Sequence, residues 1–467
     1  MNQNSDQISD EEPTLWQNKQ EVLSFGKKLI GKNLRTQSGI RPIPAEALDS
    51  KIGARQKASM GTLLERYYYN IKPGNESRPD FQEIGVELKT TPIKKLAKGL
   101  YSAKERLVLN LINYRTESET SFTESSFYKK NASIMLFSYL HEKEVAIGDL
   151  EIKIVDLLEY QNLPEADRKI ILSDWHKINA KIRANDAHNL SEGDTLYLGA
   201  CTKSANSSVR TMQGNGIEAK PRAYAFKSGY MTALTRRLLG KQDPDAEAII
   251  KSDEQAELVS DFENMVTAKF APYIGKDAHR LLEGFGIGYK SKSKFAILAR
   301  RILGVSKNKV EEFEKAEVSI KTIRVDSKGK PLESISFPTF KFSEFIEENW
   351  DDDNNTFRKQ IEKRFFFVIF EERNDSFGNP LTVLKKVLFW TMPLSEIETT
   401  VREMWQQAQN AVAEGNLAAL PRQGQRRIIH VRPHGKTGKD FDFLPNGTPA
   451  TKRCFWLNAL YVKDIIR

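Results

Sequence analysis

The sequence predicts an α/β (α+β) protein made of two tandem copies of one domain, each with a mixed β-sheet flanked by helices. Three observations support this prediction. The chain has 467 residues, 39% of them hydrophobic and 28% charged, which suits a globular protein of several domains. Strand-like and helix-like patterns are mixed in both halves. Four sequence patterns recur in the same order, about half a chain apart.

The repeat rests on four anchors. They pair GVELKT at 85–90 with EVSIKT at 317–322, SDWHKINAKIRAN from Ser173 with REMWQQAQNAVAEG from Arg402, LYLGACTKSAN from Leu196 with IIHVRPHGKTG from Ile428, and PRAYAFKSGYMTALTRR from Pro221 with the final KRCFWLNALYVKDIIR. In the second anchor Trp175 aligns with Trp405, and the apolar spacing of both segments is helical. Chance would scatter such matches along the chain, so the order favours a duplication.

The repeat divides the chain into three parts. Residues 1–240 contain copy one, whose pattern begins near Glu21, and residues 277–467 form copy two. Residues 241–276 are highly charged with helical spacing, and we expect a helical connector there.

Each element of copy one follows from its local pattern. Helices are expected near Val22–Leu29 and Gly61–Tyr69, followed by a strand hairpin around Glu87. The apolar run Leu107–Tyr114 is expected to continue that hairpin, and a further strand is expected at Ser133–Tyr139. The Trp175 helix, the Leu196 strand and a closing strand-helix unit complete the copy.

Charge and composition favour some classes of protein function over others. The net charge of +9 suits a polyanion such as DNA, although basic proteins also use such a charge for solubility. Two cysteines exclude a disulfide framework, and Pro433 between His430 and His434 argues against a helical zinc site. The acidic first residues do not resemble a targeting peptide, and no apolar run reaches transmembrane length, so we expect a cytoplasmic protein.

The segment RPDFQEIGVELK at 78–89 carries the strongest chemical signal. Val86 and Leu88 alternate with Glu87 and Lys89, which on a strand places both charges on one face. Gly85 can bend the chain so that Asp80 lies beside Glu87. Two adjacent carboxylates suit Mg²⁺, whose bound water can attack a phosphorus atom, and a lysine can orient that water. The alternative is an exposed ion pair between Glu87 and Lys89.

Copy two lacks most of these groups. Glu65, at the end of the run MGTLLE, is either a surface charge or a further member of the site. The positions aligned with Glu65, Asp80, Glu87 and Lys89 hold Arg300, Glu312, Ser319 and Lys321. The alignment therefore predicts that copy one is catalytic and that copy two is a non-catalytic DNA-binding or effector domain.

These residues resemble a known family. The run KASMGTLLE at 57–65, then Asp80-Phe81, then GVELKTTP at 85–92 is similar to the MutH mismatch-repair endonucleases in order and spacing. Two MutH-like copies in one chain resemble the type II restriction enzymes of the Sau-three-A type, as do SAKERLVLN at 102–110 and KSGYMT at 227–232. The resemblance covers nearly all of the chain except its first residues and the connector.

The resemblance implies two restriction-endonuclease-like domains, a Mg²⁺ cofactor and cleavage of duplex DNA at GATC. It implies an active site of Glu65, Asp80, Glu87 and Lys89, with Asp80 and Glu87 as the metal ligands. We also expect a monomer in solution that becomes a dimer on DNA and can engage two GATC sites at once.

The resemblance also implies four DNA contacts, at Lys57, Lys203, Lys227 and Arg432. The family reads bases from a loop with an Arg-Pro-Lys core. Copy one keeps only Lys203 of that core, which either reads guanine or contacts a phosphate, and copy two keeps Arg432 and Pro433. Ala225 stands where the mismatch-repair enzymes have an aromatic residue, which leaves room for a methylated adenine.

Two other functions remain open at this point. A mismatch-repair enzyme that nicks one strand would share the site, but such an enzyme resembles a single copy. A DNA-binding regulator without nuclease activity would not need all of Glu65, Asp80, Glu87 and Lys89. Plasmid cleavage with Mg²⁺ separates these functions.

Overall fold

The computed structural model describes residues 12–51, 59–72, 77–203, 208–252, 255, 261–352, 355–425, 427–435, 437 and 440–467. Helices and mixed sheets alternate along them, so the predicted α/β class is confirmed. Lys57 lies outside the described residues. Within the described part of the chain, no helix is long and apolar enough to cross a membrane.

In the described residues, copy one contains two main sheets and a small two-stranded sheet, β7-β8. In chain order its strands are β1 (Glu87–Lys95), β2 (Tyr101–Ala103), β3 (Leu107–Leu111), β4 (Ser133–Leu140), β5 (Ile152–Glu159), β6 (Leu198–Thr202), β7 (Thr211–Met212), β8 (Glu218–Ala219) and β9 (Arg222–Phe226). The first sheet has the order β2-β1-β4-β5, and β1 runs parallel to β4 but antiparallel to β2. The second sheet, β3-β9-β6, is wholly antiparallel. The predicted mixed sheet is therefore present, with an antiparallel sheet beside it.

One expected strand is placed differently. The run Leu107–Tyr114 was expected to continue the hairpin, but β3 ends at Leu111 and pairs with β9 in the second sheet. Tyr114 begins a short helix, Tyr114–Glu117, because the Asn113 side chain accepts hydrogen bonds from the backbone N–H groups of Arg115 and Thr116. Local apolarity predicted the strand but not the sheet that it joins.

Helices cover both sheets of copy one. Their bounds are Lys19–Lys27, Ala45–Leu48, Met60–Leu63, Tyr114–Glu117, Ser126–Asn131, Glu165–Arg183 and Ser228–Leu238, and a π-helical turn at Leu64–Tyr68 extends the third. The Glu165–Arg183 helix buries Trp175, Ile178 and Ile182 on one face, as its spacing predicts.

Over the residues that the structure describes, copy two repeats the strand order of copy one except that β2 has no counterpart. Its strands, with the pair that joins it to the connector, are β10 (Ala246–Glu247), β11 (Lys309–Val310), β12 (Ser319–Val325), β13 (Ile335–Phe340), β14 (Phe365–Asn374), β15 (Pro380–Trp390), β16 (Ile429–Pro433), β17 (Phe441–Phe443), β18 (Pro449–Thr451) and β19 (Arg453–Leu457). The sheet β12-β14-β15 matches β1-β4-β5, and β13-β19-β16 matches β3-β9-β6. The parallel pair β12–β14 takes the place of β1–β4.

The helices of the second half complete this match. They span Phe262–Phe270, Ala278–Gly284, Lys294–Ile302, Glu311–Ala316, Phe342–Phe345, Thr356–Ile361, Leu394–Glu396, Arg402–Ala413 and Ala459–Ile465, with a π-helical turn at Ile397–Val401. The Arg402–Ala413 helix buries Trp405 as its counterpart buries Trp175.

The two copies pack against each other. The Arg364 guanidinium donates to the Gly193 carbonyl at 2.9 Å, and Lys315 forms an ion pair with Asp167 at 3.1 Å. One apolar cluster also contains residues from both copies. Within residues 241–276, Phe262–Phe270 is helical, but Ala246–Glu247 forms β10, which pairs with β11, so the connector is only partly the helix that the sequence suggests. The division at 240 and 277 stays a prediction.

Candidate active site

A sharp backbone turn brings Asp80 to the start of β1. Phe81 and Val86 exchange backbone hydrogen bonds of 2.8 and 3.2 Å across the short helical turn Gln82–Ile84. Gly85 ends this turn with φ of +66°, a left-handed conformation that glycine adopts without strain. Val86 is buried in the apolar cluster beneath the sheet. The sequence thus folds locally so that the chain returns alongside itself between Asp80 and Glu87.

Asp80 and Glu87 are linked through the backbone. The Asp80 N–H donates to Glu87 Oε2 at 3.2 Å, and Asp80 Oδ2 accepts from the Leu88 N–H at 2.8 Å. Glu87 has only 2% of its surface exposed. The two carboxylates therefore have a fixed mutual position, which is what a shared cation requires.

Two lysine ammonium groups lie close to the negative charge of the Glu87 carboxylate. Lys89 Nζ donates to Glu87 Oε1 at 2.6 Å, and Lys130 Nζ lies 3.5 Å from the same oxygen. Lys130 is 8% exposed and comes from the Ser126–Asn131 helix, which directly precedes β4. The sequence pattern around Glu87 does not identify Lys130. The available signal was a lysine near the end of a helix that leads into the strand paired with β1.

Glu65 lies at the same centre. Burial, followed by repulsion from Asp80 and Glu87, raises the pKa of Glu65 to about 7. Burial also raises the pKa of Glu87 to about 6, against the lowering effect of Lys89 and with a further increase from Asp80. Three mutually repelling carboxyl groups in a partly buried site have the chemistry that a divalent cation would stabilise.

The donor set fits an open magnesium site rather than a closed structural metal centre. In the part of the chain that the structure describes, no group of three or more acidic, histidine or cysteine side chains is arranged so that all of them could hold one metal ion. Mg²⁺ is typically held by one or two carboxylates and keeps several waters. Asp80 and Glu87 supply that minimum, and Glu65 lies close enough to respond to their charge.

The predicted DNA contacts have different surroundings. Lys203 is exposed directly after β6, and its N–H donates to the Pro221 carbonyl at 2.9 Å. Arg432 is exposed on β16, with its guanidinium 4.9 Å from the centre of the Trp456 ring.

Lys227 does not reach the surface in this structure. It is 4% exposed, and its Nζ donates to the Thr195 carbonyl at 2.5 Å. Burial lowers the pKa of Lys227, against the opposing effect of Glu192. This geometry does not support the predicted contact between Lys227 and DNA.

Comparisons with known proteins identify relatives of this chain. Residues 69–174, which include Asp80, Glu87, Lys89 and Lys130, match the family model described as the DNA mismatch repair enzyme MutH. The chain is 35% identical to the type II restriction enzyme Sau3AI of Staphylococcus aureus, over 95% of this chain and 97% of that enzyme.

Shorter matches link the chain to mismatch repair proteins. It is 26% identical to the MutH protein of Pectobacterium atrosepticum over 47% of this chain and 92% of that protein. The MutH protein of Serratia proteamaculans is also 26% identical over 47% of this chain. One MutH-length segment therefore accounts for about half of the chain, whereas the restriction enzyme matches nearly all of it.

Proposed function

Because the chain belongs to the family of the type II restriction enzyme Sau3AI, we propose that it hydrolyses both strands of duplex DNA at GATC with Mg²⁺ as cofactor. The observation that carries this proposal is the cluster of Asp80, Glu87 and Lys89, linked by hydrogen bonds of 2.6 to 3.2 Å with Glu65 beside it. Residues 1–240 form the catalytic domain of this proposal, and residues 277–467 form a non-catalytic effector domain.

Asp80 and Glu87 would hold the metal ion, and Glu65 would complete the acidic centre. When bound, Mg²⁺ supplies an activated water and neutralises negative charge on the scissile phosphate. The hydrogen bond from Leu88 N–H orients Asp80, and the hydrogen bond from Asp80 N–H orients Glu87. Both ligands are therefore preorganised by the turn that precedes β1.

The two lysines have complementary tasks in this proposal. Lys89 lies on the same strand face as Glu87, so its ammonium would orient the attacking water or contact a phosphate oxygen. Lys130 approaches Glu87 from the Ser126–Asn131 helix and, together with the larger effect of Lys89, opposes the increase in the pKa of Glu87 that burial causes. A deprotonated ligand is required before a divalent cation can bind.

In this proposal, GATC is recognised by Lys203, directly after β6, and by Arg432, near the end of β16. The exposed ammonium of Lys203 can donate to guanine O6 and N7 in the major groove. Arg432 occupies the corresponding part of copy two, where stacking on Trp456 holds its guanidinium plane. With one catalytic copy per chain, cleavage of both strands is explained if a monomer in solution becomes a dimer on DNA.

A plasmid assay tests the proposed function. A supercoiled plasmid with GATC sites is incubated with the protein in Mg²⁺ and in EDTA, beside a plasmid without GATC. We expect linear product only for the GATC plasmid in Mg²⁺. A nicked circle would instead favour a strand-nicking enzyme, and unchanged plasmid bound by the protein would favour a regulator without nuclease activity.

A further inference from the structure

The second copy retains the frame of the active site but not its acids. Ser319 begins β12 as Glu87 begins β1, and Lys321 follows two residues later as Lys89 does. Glu317, two residues before Ser319, has φ of +56°, which reproduces the left-handed turn made by Gly85. Because this turn is preserved, Ser319 and Lys321 occupy the same positions relative to the turn and the strand as Glu87 and Lys89.

Glu312 is the one acidic residue that copy two keeps at the three positions aligned with Glu65, Asp80 and Glu87, and it has a structural role. Glu312, aligned with Asp80, is 4% exposed, and its carboxylate accepts hydrogen bonds of 2.9 Å from the backbone N–H groups of Ile249 and Ile250. It thus anchors the connector and is not available to a ligand. The position aligned with Glu65 holds Arg300, on the Lys294–Ile302 helix that contacts β12.

The charge of the centre is therefore reversed between the copies. In copy one, three carboxyl groups surround Lys89 and Lys130. In copy two, Lys321 Nζ donates to the Ser336 carbonyl at 3.3 Å, and no carboxylate is among the charged groups that act on Lys321 in the described structure. Burial and the nearby ammonium of Lys363 lower the pKa of Lys321. Ammonium groups without counterions attract an anion.

Open space adjoins Ser319 and Lys363. The Ser319 N–H donates to the Arg364 carbonyl at 2.9 Å, so Ser319 lies next to Lys363 at the start of the parallel pair β12–β14. Ser319 and Lys363 line a cavity of about 750 Å³ that continues along the helix Ser228–Leu238 of copy one.

The acidic groups of that cavity are mostly engaged elsewhere. Glu311 and Asp167 contact Lys315, Glu317 accepts from Ser228, Asp243 contacts Arg236 and Lys309, and Glu314 is exposed at the surface. None of these carboxylates has a described contact with Lys321 or Lys363.

We propose that the former active centre of copy two is a metal-independent binding site for a backbone phosphate of DNA, with Lys321 as its main donor and Lys363 as a further positive charge. The inference deepens the proposed function, since it assumes that both copies bind DNA through the same face. The active centre of a nuclease lies beside the DNA backbone, so the equivalent position of copy two would also face a phosphate. With Ser319 in place of a glutamate, the phosphate itself becomes the counterion of the lysine.

Binding measured without metal isolates this site. In EDTA the three carboxyl groups of copy one repel phosphate, so binding of a short GATC duplex to the full chain depends mainly on copy two. Affinity is measured at several salt concentrations for the wild type, Lys321→Ala, Lys321→Arg and Ser319→Glu. The controls are Lys290→Ala, an exposed lysine, and Ser327→Glu, an exposed serine beyond the far end of β12.

We expect Lys321→Ala and Ser319→Glu to bind several-fold more weakly and to reduce the salt slope by about one unit, as loss of one phosphate contact does. Lys321→Arg should retain the slope, and both controls should behave as the wild type. Unchanged slopes in both Lys321→Ala and Ser319→Glu, with folding verified by circular dichroism, would overturn the inference. So would the absence of wild-type binding in EDTA. GATC cleavage in Mg²⁺ by the same wild-type sample would show that the proposed function survives either failure.

Discussion

Glu87 and Ser319 are equivalent residues in two sheets of the same order, each beginning a strand that pairs in parallel with the next long strand of its copy. Glu87 lies opposite Ile134 of β4, and Ser319 lies opposite Phe365 of β14. Two residues earlier, Gly85 and Glu317 both have positive φ. The backbone frame is thus shared, while only Glu87 provides a carboxylate. This difference generates separate expectations for the two copies.

The first prediction concerns the acidic pair. We expect Asp80→Ala and Glu87→Ala to reduce plasmid cleavage to background while DNA binding remains near the wild-type value. The carboxylates hold the cation, whereas affinity comes mainly from lysine and arginine contacts to phosphate. Cleavage is measured on a GATC plasmid in Mg²⁺, and binding is measured on a short duplex.

Glu83→Ala is the matched control for these variants. Glu83 is an exposed carboxylate on the same turn and should cleave as the wild type. If either Asp80→Ala or Glu87→Ala linearises the plasmid at the wild-type rate, the assignment of the active site is wrong.

The second prediction concerns Lys130, which only the structure identifies. Lys130→Met removes an ammonium 3.5 Å from Glu87 Oε1, so the Glu87 carboxylate becomes harder to ionise. Loss of a group that supports a metal ligand typically lowers affinity or activity by about 10- to 100-fold. We expect a loss in this range, partly compensated by higher Mg²⁺.

Lys130→Arg should recover part of the activity because it restores the positive charge. Lys129→Met is the control, since Lys129 is exposed and contacts Glu124 instead. An unchanged dependence of the rate on Mg²⁺ in Lys130→Met would assign Lys130 to fold stability alone.

The sequence predicts the part of the site that is local. Alternation around Glu87 and the flexible Gly85 suffice to bring Asp80 beside Glu87, because these residues are close in the chain. Lys130 reaches Glu87 only through the parallel pairing of β1 with β4, and no local pattern specifies that pairing. The burial of Lys227 depends likewise on how the Thr195 carbonyl packs against it. The placement of β3 in the second sheet has the same non-local origin.

The third prediction concerns base recognition in copy one. We expect Lys203→Ala to lose discrimination between GATC and scrambled DNA more than it loses general affinity. A base-edge contact is worth about 1–3 kcal/mol against the wrong base. Binding constants for both duplexes at one salt concentration provide the measurement. Equal weakening on the two duplexes would mark Lys203 as a phosphate contact.

The fourth prediction concerns the pH dependence of stability. His430 is fully buried on β16, and burial, followed by the charge of Arg432, lowers the pKa of His430 to about 4. An unfolded histidine has a pKa of about 6.5, so between these values the unfolded state takes up a proton that the folded state does not. His430 therefore reduces stability as the pH falls from about 6.5 towards 4.

We expect His430→Gln to lose less thermal stability than the wild type between pH 7.5 and pH 5. The measurement is the change in Tm between these two pH values. The same substitution at exposed His434 is the control for a general effect of removing a histidine. An equal loss of Tm in the wild type and His430→Gln would contradict the expectation.

The last prediction is that copy two stimulates copy one when it binds a second GATC site. Copy two retains Arg432 stacked on Trp456, but it has Ser319 where catalysis needs a carboxylate. It also contacts copy one through Arg364 and Gly193 and through Lys315 and Asp167, so a change in copy two can reach the catalytic copy. Coupling between two sites is typically about 1–3 kcal/mol, so a second site should raise the cutting rate several-fold.

The test compares plasmids with one and two GATC sites, with and without a short GATC duplex added in trans, at protein concentrations below saturation. We expect the two-site plasmid to be cut faster, and the added duplex to accelerate the one-site plasmid. Arg432→Ala should weaken both effects, because it removes a residue with which copy two is proposed to read DNA and leaves Asp80 and Glu87 in place.

Two physical routes would give this result: DNA on copy two can bridge two chains into a dimer that cuts both strands, or it can reposition the connector. A dependence of the rate on protein concentration distinguishes the first route from the second. Identical rates for all these substrates would leave copy two with a structural task, in which it adds phosphate contacts and stabilises the fold.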